Sequence, residues 1–419
     1  MKFHTDQSKE NTKNYYGWVI ALFGNMVIAL TTITSFQGTG FFLKAFEEQK
    51  NWSRTLISGA SSFARAESAL LGPIEGFLLE KFGVKKIMVI GNFIAAFGFI
   101  LMAYTDTVLQ LFFAYFFVSF GSALCGWLPI MTLMNMWFEK NKTFAMAFSI
   151  TGTHIGGWVA PLLAFCLFTF GIKNTALFIS VVFILFSPLS FFIVKDKTNF
   201  TKNKISSKQN KKKFRFRINL NPEIKKQLTQ RPFWIIAFTH MCSTTSIVTL
   251  TTHLPAHITD LGFSVITSGY IVSIFSTVGI FSQYIAGYTA DKYGKKYILL
   301  IFLLFQVSAL VVLSIFETWT GLVFFAILWG IGFGGRTPVI TAIRGDYFHP
   351  SVFATLFGFS GIIINIGTTA GPIIAGILYD NTGSYEIAFR GLYIIAFIGC
   401  LLLLTLPTKN KINKVNNIV

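Results

Sequence analysis

The chain has 419 residues, 53% of them hydrophobic and 12% charged, with 48 Phe and a formal net charge of +18. An average soluble domain carries about 25% charged residues, so this composition excludes an ordinary soluble enzyme and points to a chain that crosses a membrane many times. The positive balance is not a nucleic-acid signature, because the basic residues gather in short clusters between long apolar runs, as loops on one side of a membrane do.

Residues 1–16 are polar and lack the small-residue cleavage site of a signal peptide, which predicts a retained cytoplasmic tail. A bilayer-spanning helix needs about 20 largely apolar residues. Twelve segments meet that need: 17–43, 54–79, 86–104, 108–137, 143–167, 174–194, 233–256, 264–290, 297–316, 319–344, 352–379 and 386–406. Most connections are short, but 195–231 is polar and holds 13 lysines and arginines, among them Lys211, Lys212 and Lys213. The expected organisation is a six-helix bundle over 1–194, a basic cytoplasmic linker over 195–231, and a second six-helix bundle over 232–419. With the N-terminus inside, the tails and inner loops hold 28 of the 35 lysines and arginines and the outer loops five. This asymmetry predicts both termini in the cytoplasm, and the expected location is the inner (cell) membrane. The linker reads as a solvated segment obeying the same rule, with contact to anionic headgroups as the alternative.

Cys125, Cys166, Cys242 and Cys400 each sit inside an apolar run, without CxxC or His-paired spacing, and read as small buried hydrophobes. His253 and His257 stand at metal-ligand spacing, but Pro255 interrupts them and no carboxylate–His set completes a site. Neither a metal nor a cofactor is expected. No G-x-x-x-x-G-K-[ST] loop implies ATP, and no nucleophile–base set implies an enzyme.

The chain repeats itself. Gly76-Phe-Leu-Leu-Glu80-Lys81-Phe82-Gly83-Val84-Lys85 follows the second span, and Gly287-Tyr-Thr-Ala-Asp291-Lys292-Tyr293-Gly294-Lys295-Lys296 follows the eighth, 211 residues later. Gly121 and Pro129 match Gly330 and Pro338, Ala145 to Gly152 matches Ala354 to Gly361, and Pro161 matches Pro372, all at offsets of 209 or 211. Matched features in one order make a duplicated six-helix unit, with a binding site expected between the halves at mid-membrane. In the motif the glycines permit a tight turn with φ > 0. The carboxylate can pair with an arginine of a neighbouring helix or cap a helix N-terminus, making Glu80, Lys81, Asp291 and Lys292 gate residues.

This twice-repeated loop resembles the signature of the major facilitator superfamily. The resemblance covers nearly the whole chain and implies an all-α membrane protein of twelve transmembrane helices in two pseudo-symmetric bundles. Further residues resemble the bacterial branch related to monocarboxylate and oxalate–formate carriers: Tyr15-Tyr-Gly-Trp-Val-Ile20, Trp52-Ser-Arg54-Thr-Leu-Ile-Ser58, Arg231-Pro-Phe-Trp234, His253, Gly371-Pro-Ile-Ile-Ala-Gly376 and Asp380 to Tyr385. That branch implies uptake or exchange of small organic anions, with a proton or counter-anion as partner. The chain departs from it at two positions. Related carriers hold their anion with an Arg four residues before the loop Gly in the eighth span, where this chain has Gln283. The oxalate carriers also use a Lys in the eleventh, near Ile364 here. Their substrate is therefore not transferred.

The chain's own intramembrane charges remain. A charge at mid-bilayer costs about 2.5–3.5 kcal/mol and marks function by default. Arg336 lies eight residues, roughly 12 Å, before the inner end of the tenth span, and its planar fork suits a substrate carboxylate. Gly332, Gly334, Gly335 and Pro338 around it are expected to leave space for a ligand. The competing role is a permanent pair with a helix carboxylate such as Glu67. Arg65 and Glu67 stand in the second span, Arg65 as a further substrate residue and Glu67 as a proton carrier or half of a fixed ion pair. His154 lines the site or packs as a hydrogen-bonded core histidine, and His240 is similar. Trp127 matches Arg336 at offset 209 and is placed as an apolar wall; Tyr270 and Gln283 are placed as polar partners. Arg344 is expected to pair with Asp291 at the gate with Asp346 beside it, and Glu75 belongs to the same gate. The expected function is secondary transport of small carboxylates. A carrier or exporter of a neutral or cationic solute or drug is the alternative, and a membrane sensor signalling through the 195–231 loop the distant one.

Overall fold

The computed structural model describes residues 3–138, 142–195, 222–348 and 350–407, and all regular structure among them is helical. The first expected span is divided into α1 (Phe3–Ser35) and α2 (Thr39–Lys50), followed by α3 (Arg54–Phe82) and α4 (Val84–Ala103). The next two spans are also broken: α5 (Val108–Cys125) and α6 (Trp127–Trp137) meet at Gly126, and α7 (Lys142–Ile150), α8 (Gly152–Trp158) and α9 (Ala160–Thr169) share the fifth. Then come α10 (Gly171–Ile193), the short α11 (Pro222–Leu228), α12 (Arg231–Asp260), α13 (Val265–Tyr293), α14 (Lys295–Ile315), α15 (Trp319–Ala342), α16 (Arg344–Tyr347), α17 (Pro350–Thr382) and α18 (Glu386–Leu404). Among the described residues eleven stretches are long and apolar enough to cross a membrane. They match eleven of the expected spans. The remaining one is α3, 29 residues long, which carries Arg54, Arg65, Glu67 and Glu75. The central run Lys211–Lys213 lies outside the described residues.

The helices gather into two compact units. Of the described residues, one comprises 3–35, 70–138, 142–156 and 170–195; the other comprises 36–69, 157–169, 222–348 and 350–407. Buried polar bonds and close helix contacts hold each together, as helix association without a strong hydrophobic driving force requires. In the first unit the Asn25 amide donates to Phe148 O (2.7 Å) and the Asn92 amide to Ser190 Oγ (3.0 Å), while Phe99 stacks on Phe183. In the second, Ser243 Oγ donates to Gln306 Oε1 (2.6 Å) and Gln306 Nε2 returns a bond to Ser243 O (2.9 Å). An apolar core of Phe233, Leu299, Phe302, Val339, Ile343 and Leu403 closes one end of this unit.

The duplicated motif is visible in the backbone. Gly83 between α3 and α4 has φ 87° and ψ 156°, and Gly294 between α13 and α14 has φ 94° and ψ 130°. Both lie where only glycine is unstrained, so one sharp turn recurs in the two halves, as the sequence spacing predicts.

Candidate functional site

Arg336, on α15 of the second unit, is 4% exposed. Its Nη2 donates to Thr244 Oγ1 on α12 at 3.3 Å, while the buried Nε and Nη1 have no hydrogen-bond partner among the described residues. It makes no ion pair there either, so Glu67 does not neutralise it. Two turns further along the chain, Arg344 is 2% exposed. Its Nη1 donates to Ile340 O (2.7 Å), and its Nη2 donates to His240 Nδ1 (2.8 Å) and Ser360 Oγ (3.4 Å). The Phe357 ring lies 4.9 Å from the guanidinium. Two buried cations thus face α12 through Thr244 and His240, and among the described residues neither is matched by a carboxylate. Buried donors without an acid beside them are costly to hold.

The structure alters two expectations here. The glycines flanking Arg336 do not open space for a ligand. A Cβ on Gly332 would come within 2.6 Å of Gln306 N, one on Gly334 within 2.3 Å of Gly279 O, and one on Gly335 within 2.3 Å of the Phe302 ring. They let α15 press against α13 and α14. Arg344 also does not join Asp291 among the described residues; it turns inward to His240. Asp346 instead pairs with Lys295 of the repeated motif at 2.8 Å, and Asp291 and Lys292 are exposed at the end of α13. A tertiary contact with α12, not a shared place at the expected inner end, decides where Arg344 points.

The other expected residues are dispersed. In the second unit Arg65 stacks over Phe36 at 5.7 Å, Glu67 is buried, Gln283 is buried on α13, and Tyr270 is 53% exposed; Arg336 bonds to none of them. In the first unit Trp127 begins α6 and is half exposed, while His154 is buried in α8. Glu75 is buried there, Lys81 lies over Phe77 and Phe82, and the side chain of Glu80 lies outside the described part.

One residue cluster was not singled out from the sequence beyond its part in the Trp52-Ser-Arg54 motif. The Arg54 guanidinium, 2% exposed, is gripped by Asp260 at the end of α12 (2.5 and 2.7 Å) and by Glu47 of α2 (2.7 and 3.1 Å). It lies 3.7 Å from the Tyr379 ring centroid. Asp380 of α17 accepts from the backbone N–H groups of Arg54 (3.3 Å) and Thr55 (3.0 Å), which caps α3. Beside it His253 Nε2 bonds Pro372 O (2.9 Å) and Nδ1 meets Tyr385 Oη (2.8 Å). A carbonyl only accepts, so Nε2 carries the hydrogen; burial holds the Tyr385 phenol well above its ordinary value, and its protonated oxygen donates to Nδ1. Both nitrogens of His253 are occupied within the protein. The signal available in the sequence was one arginine facing three acids, Glu47, Asp260 and Asp380, all near span ends on the same expected side.

The family model of the Major Facilitator Superfamily matches residues 25–316 and, in a second match, 259–417. The chain belongs to the Major Facilitator Superfamily. Like other members of that superfamily it is a multi-pass membrane transporter and not an enzyme. Among curated proteins, monocarboxylate transporter 2 of Meriones unguiculatus is 22% identical over 394 residues, covering 89% of this chain and 80% of that protein. Monocarboxylate transporter 13 of Rattus norvegicus is 22% identical over 408 residues, covering 94% and 89%. The superfamily fold is also seen in a crystal structure of the nucleoside transporter NupG, similar with a TM-score of 0.69 at 14% identity over 93% of this chain and 100% of that one. At that identity the likeness concerns the fold alone.

Proposed function

We propose that this transporter carries small organic anions, mono- or dicarboxylates, by rocker-switch alternating access, with a proton or a counter-anion as coupling partner. The observation that carries this reading is Arg336, a buried guanidinium with two unused donor atoms and no acid beside it among the described residues. A planar fork matches a carboxylate, and a charge retained in the membrane interior at such expense is expected to have a partner. The cargo is that partner. The relatives named monocarboxylate transporters support the same class. A neutral or cationic cargo would need a carboxylate fixed on Arg336, and the lack of one among the described residues favours the anion. The bodies that rock are the repeat halves 1–194 and 232–419, joined by the basic segment 195–231, with both termini in the cytoplasm of a cell with its inner membrane as host; the basic-residue asymmetry supports that orientation. Glu67 on α3 is the proton carrier in this scheme.

The test is uptake of radiolabelled mono- and dicarboxylates into proteoliposomes under a pH gradient. Arg336→Gln is expected to abolish uptake with protein insertion unchanged, and uptake at the wild-type rate would overturn the anion assignment. Glu67→Gln is expected to keep exchange and lose pH-driven accumulation; intact accumulation removes the proton role from Glu67.

A further inference from the structure

Arg344 is as deeply buried as Arg336, yet three of its hydrogens are used inside the protein, on Ile340 O, Ser360 Oγ and His240 Nδ1. A guanidinium has no acceptor, so in the Arg344–His240 contact the imidazole nitrogen must accept. With Nδ1 accepting, the neutral ring carries its hydrogen on Nε2. Protonation of Nδ1 would replace that bond with two cations in contact. Arg344 therefore selects one tautomer of His240. On α12, His240 and Thr244 are four residues apart and share a face, and both are half-buried while Thr239, Cys242, Ser243, Thr245 and Ser246 around them are buried. Thr244 is the residue that touches Arg336, and His240 lies in the field of both guanidiniums.

We propose that His240 is the second anion-binding side chain of this site, held by Arg344 in the tautomer that presents Nε2–H to the cargo carboxylate bound by Arg336. The inference rests on the anion reading above and deepens it. A carboxylate offers about four acceptor positions on two oxygens. The Arg336 fork fills two, the Thr244 hydroxyl hydrogen is free to fill a third because its oxygen accepts from Nη2, and His240 Nε2–H fills the fourth. All three groups donate, with four hydrogens between them, so the site selects a full carboxylate over its amide, whose NH₂ end would meet hydrogens. His240 is then a specificity-determining residue and Arg344 its positioning residue.

The experiment measures binding of propionate and of propionamide to the purified full-length transporter in detergent by isothermal titration. His240→Asn reproduces the Nδ1 acceptor and lacks the distal donor, whereas His240→Gln places its amide hydrogens near the position of Nε2–H. Losing one hydrogen bond to a charged group is expected to weaken propionate binding about tenfold or more in His240→Asn, with His240→Gln within about threefold of wild type and propionamide bound weakly throughout. Should the Asn variant not be recovered folded, His240→Leu answers the same question because it also lacks the donor. Arg344→Met is expected to change the ¹⁵N signature of histidine-labelled protein at His240 and to weaken propionate binding together. If Arg336→Gln abolishes propionate binding but His240→Asn and His240→Leu bind like wild type, His240 is not a ligand and the anion reading stands. If wild type does not bind propionate, or binds it equally without Arg336, the anion reading falls and this inference falls with it.

Discussion

At the scale of the residue, Arg336 is the clearest case of a group kept against its own stability. Its Nε and Nη1 are buried without partners among the described residues, and unmatched buried charge destabilises a fold. Arg336→Met removes that penalty. The expected result is loss of carboxylate uptake with thermal stability raised by about 1–3 kcal/mol in the ligand-free protein, a trade-off usual where function holds strain. Differential scanning of purified wild type and variant checks it, and a clear drop in melting temperature would show that the guanidinium has a structural partner. Arg336 was legible in the sequence because an arginine in an apolar span needs a reason. His240 was legible as a candidate too, but its contact with Arg344 and that of Thr244 with Arg336 were not, because nothing in a single chain says which faces of the seventh and tenth spans meet.

At the scale of the element, the Arg54 cluster ties α2, α3, α12 and α17 at one end of the second unit. Removing the guanidinium strands Asp260 and Glu47, and breaking a buried pair from one side costs about 3–5 kcal/mol; the partial exposure of both acids puts the effect at the low end. Arg54→Met is therefore expected to lower stability by about 3 kcal/mol, read as a drop in melting temperature, and to speed proteolysis of the 36–54 region. Asp380→Ala removes only the α3 cap and is expected to cost about 1 kcal/mol. Equal effects of the two variants would contradict a clasp centred on Arg54. Element boundaries show the same limits of legibility. Hydropathy marks the first, fourth and fifth spans as continuous, yet each is interrupted, near Phe36–Gly38, at Gly126, and at Thr151 and Val159. Apolar composition reports burial in lipid and is silent on local backbone breaks.

At the scale of the whole molecule, a cargo that binds the folded protein stabilises it by mass action, about 2.7 kcal/mol at 100 times its dissociation constant. A thermal-shift screen of small carboxylates should raise the melting temperature of wild type in a saturable way and leave Arg336→Gln unmoved; an equal rise in both would assign the effect to non-specific anion binding. The class of protein, the number of spans to within the charged α3, and the duplication could be read from the amino-acid order alone, because hydropathy over about 20 residues and a glycine turn demanding φ > 0 are local properties. That order also singled out Arg336, since the penalty for burying a charge is local too. It took the packed helices to show that Arg344 binds His240 instead of Asp291, that the glycines around Arg336 seat neighbouring helices, and that the α2–α3 corner carrying Glu47 and Arg54 is joined by Asp260 and Asp380 from more than 200 residues away. Those outcomes depend on which helix faces come together, a sum of many weak contacts between residues far apart in the chain that no short stretch of sequence records.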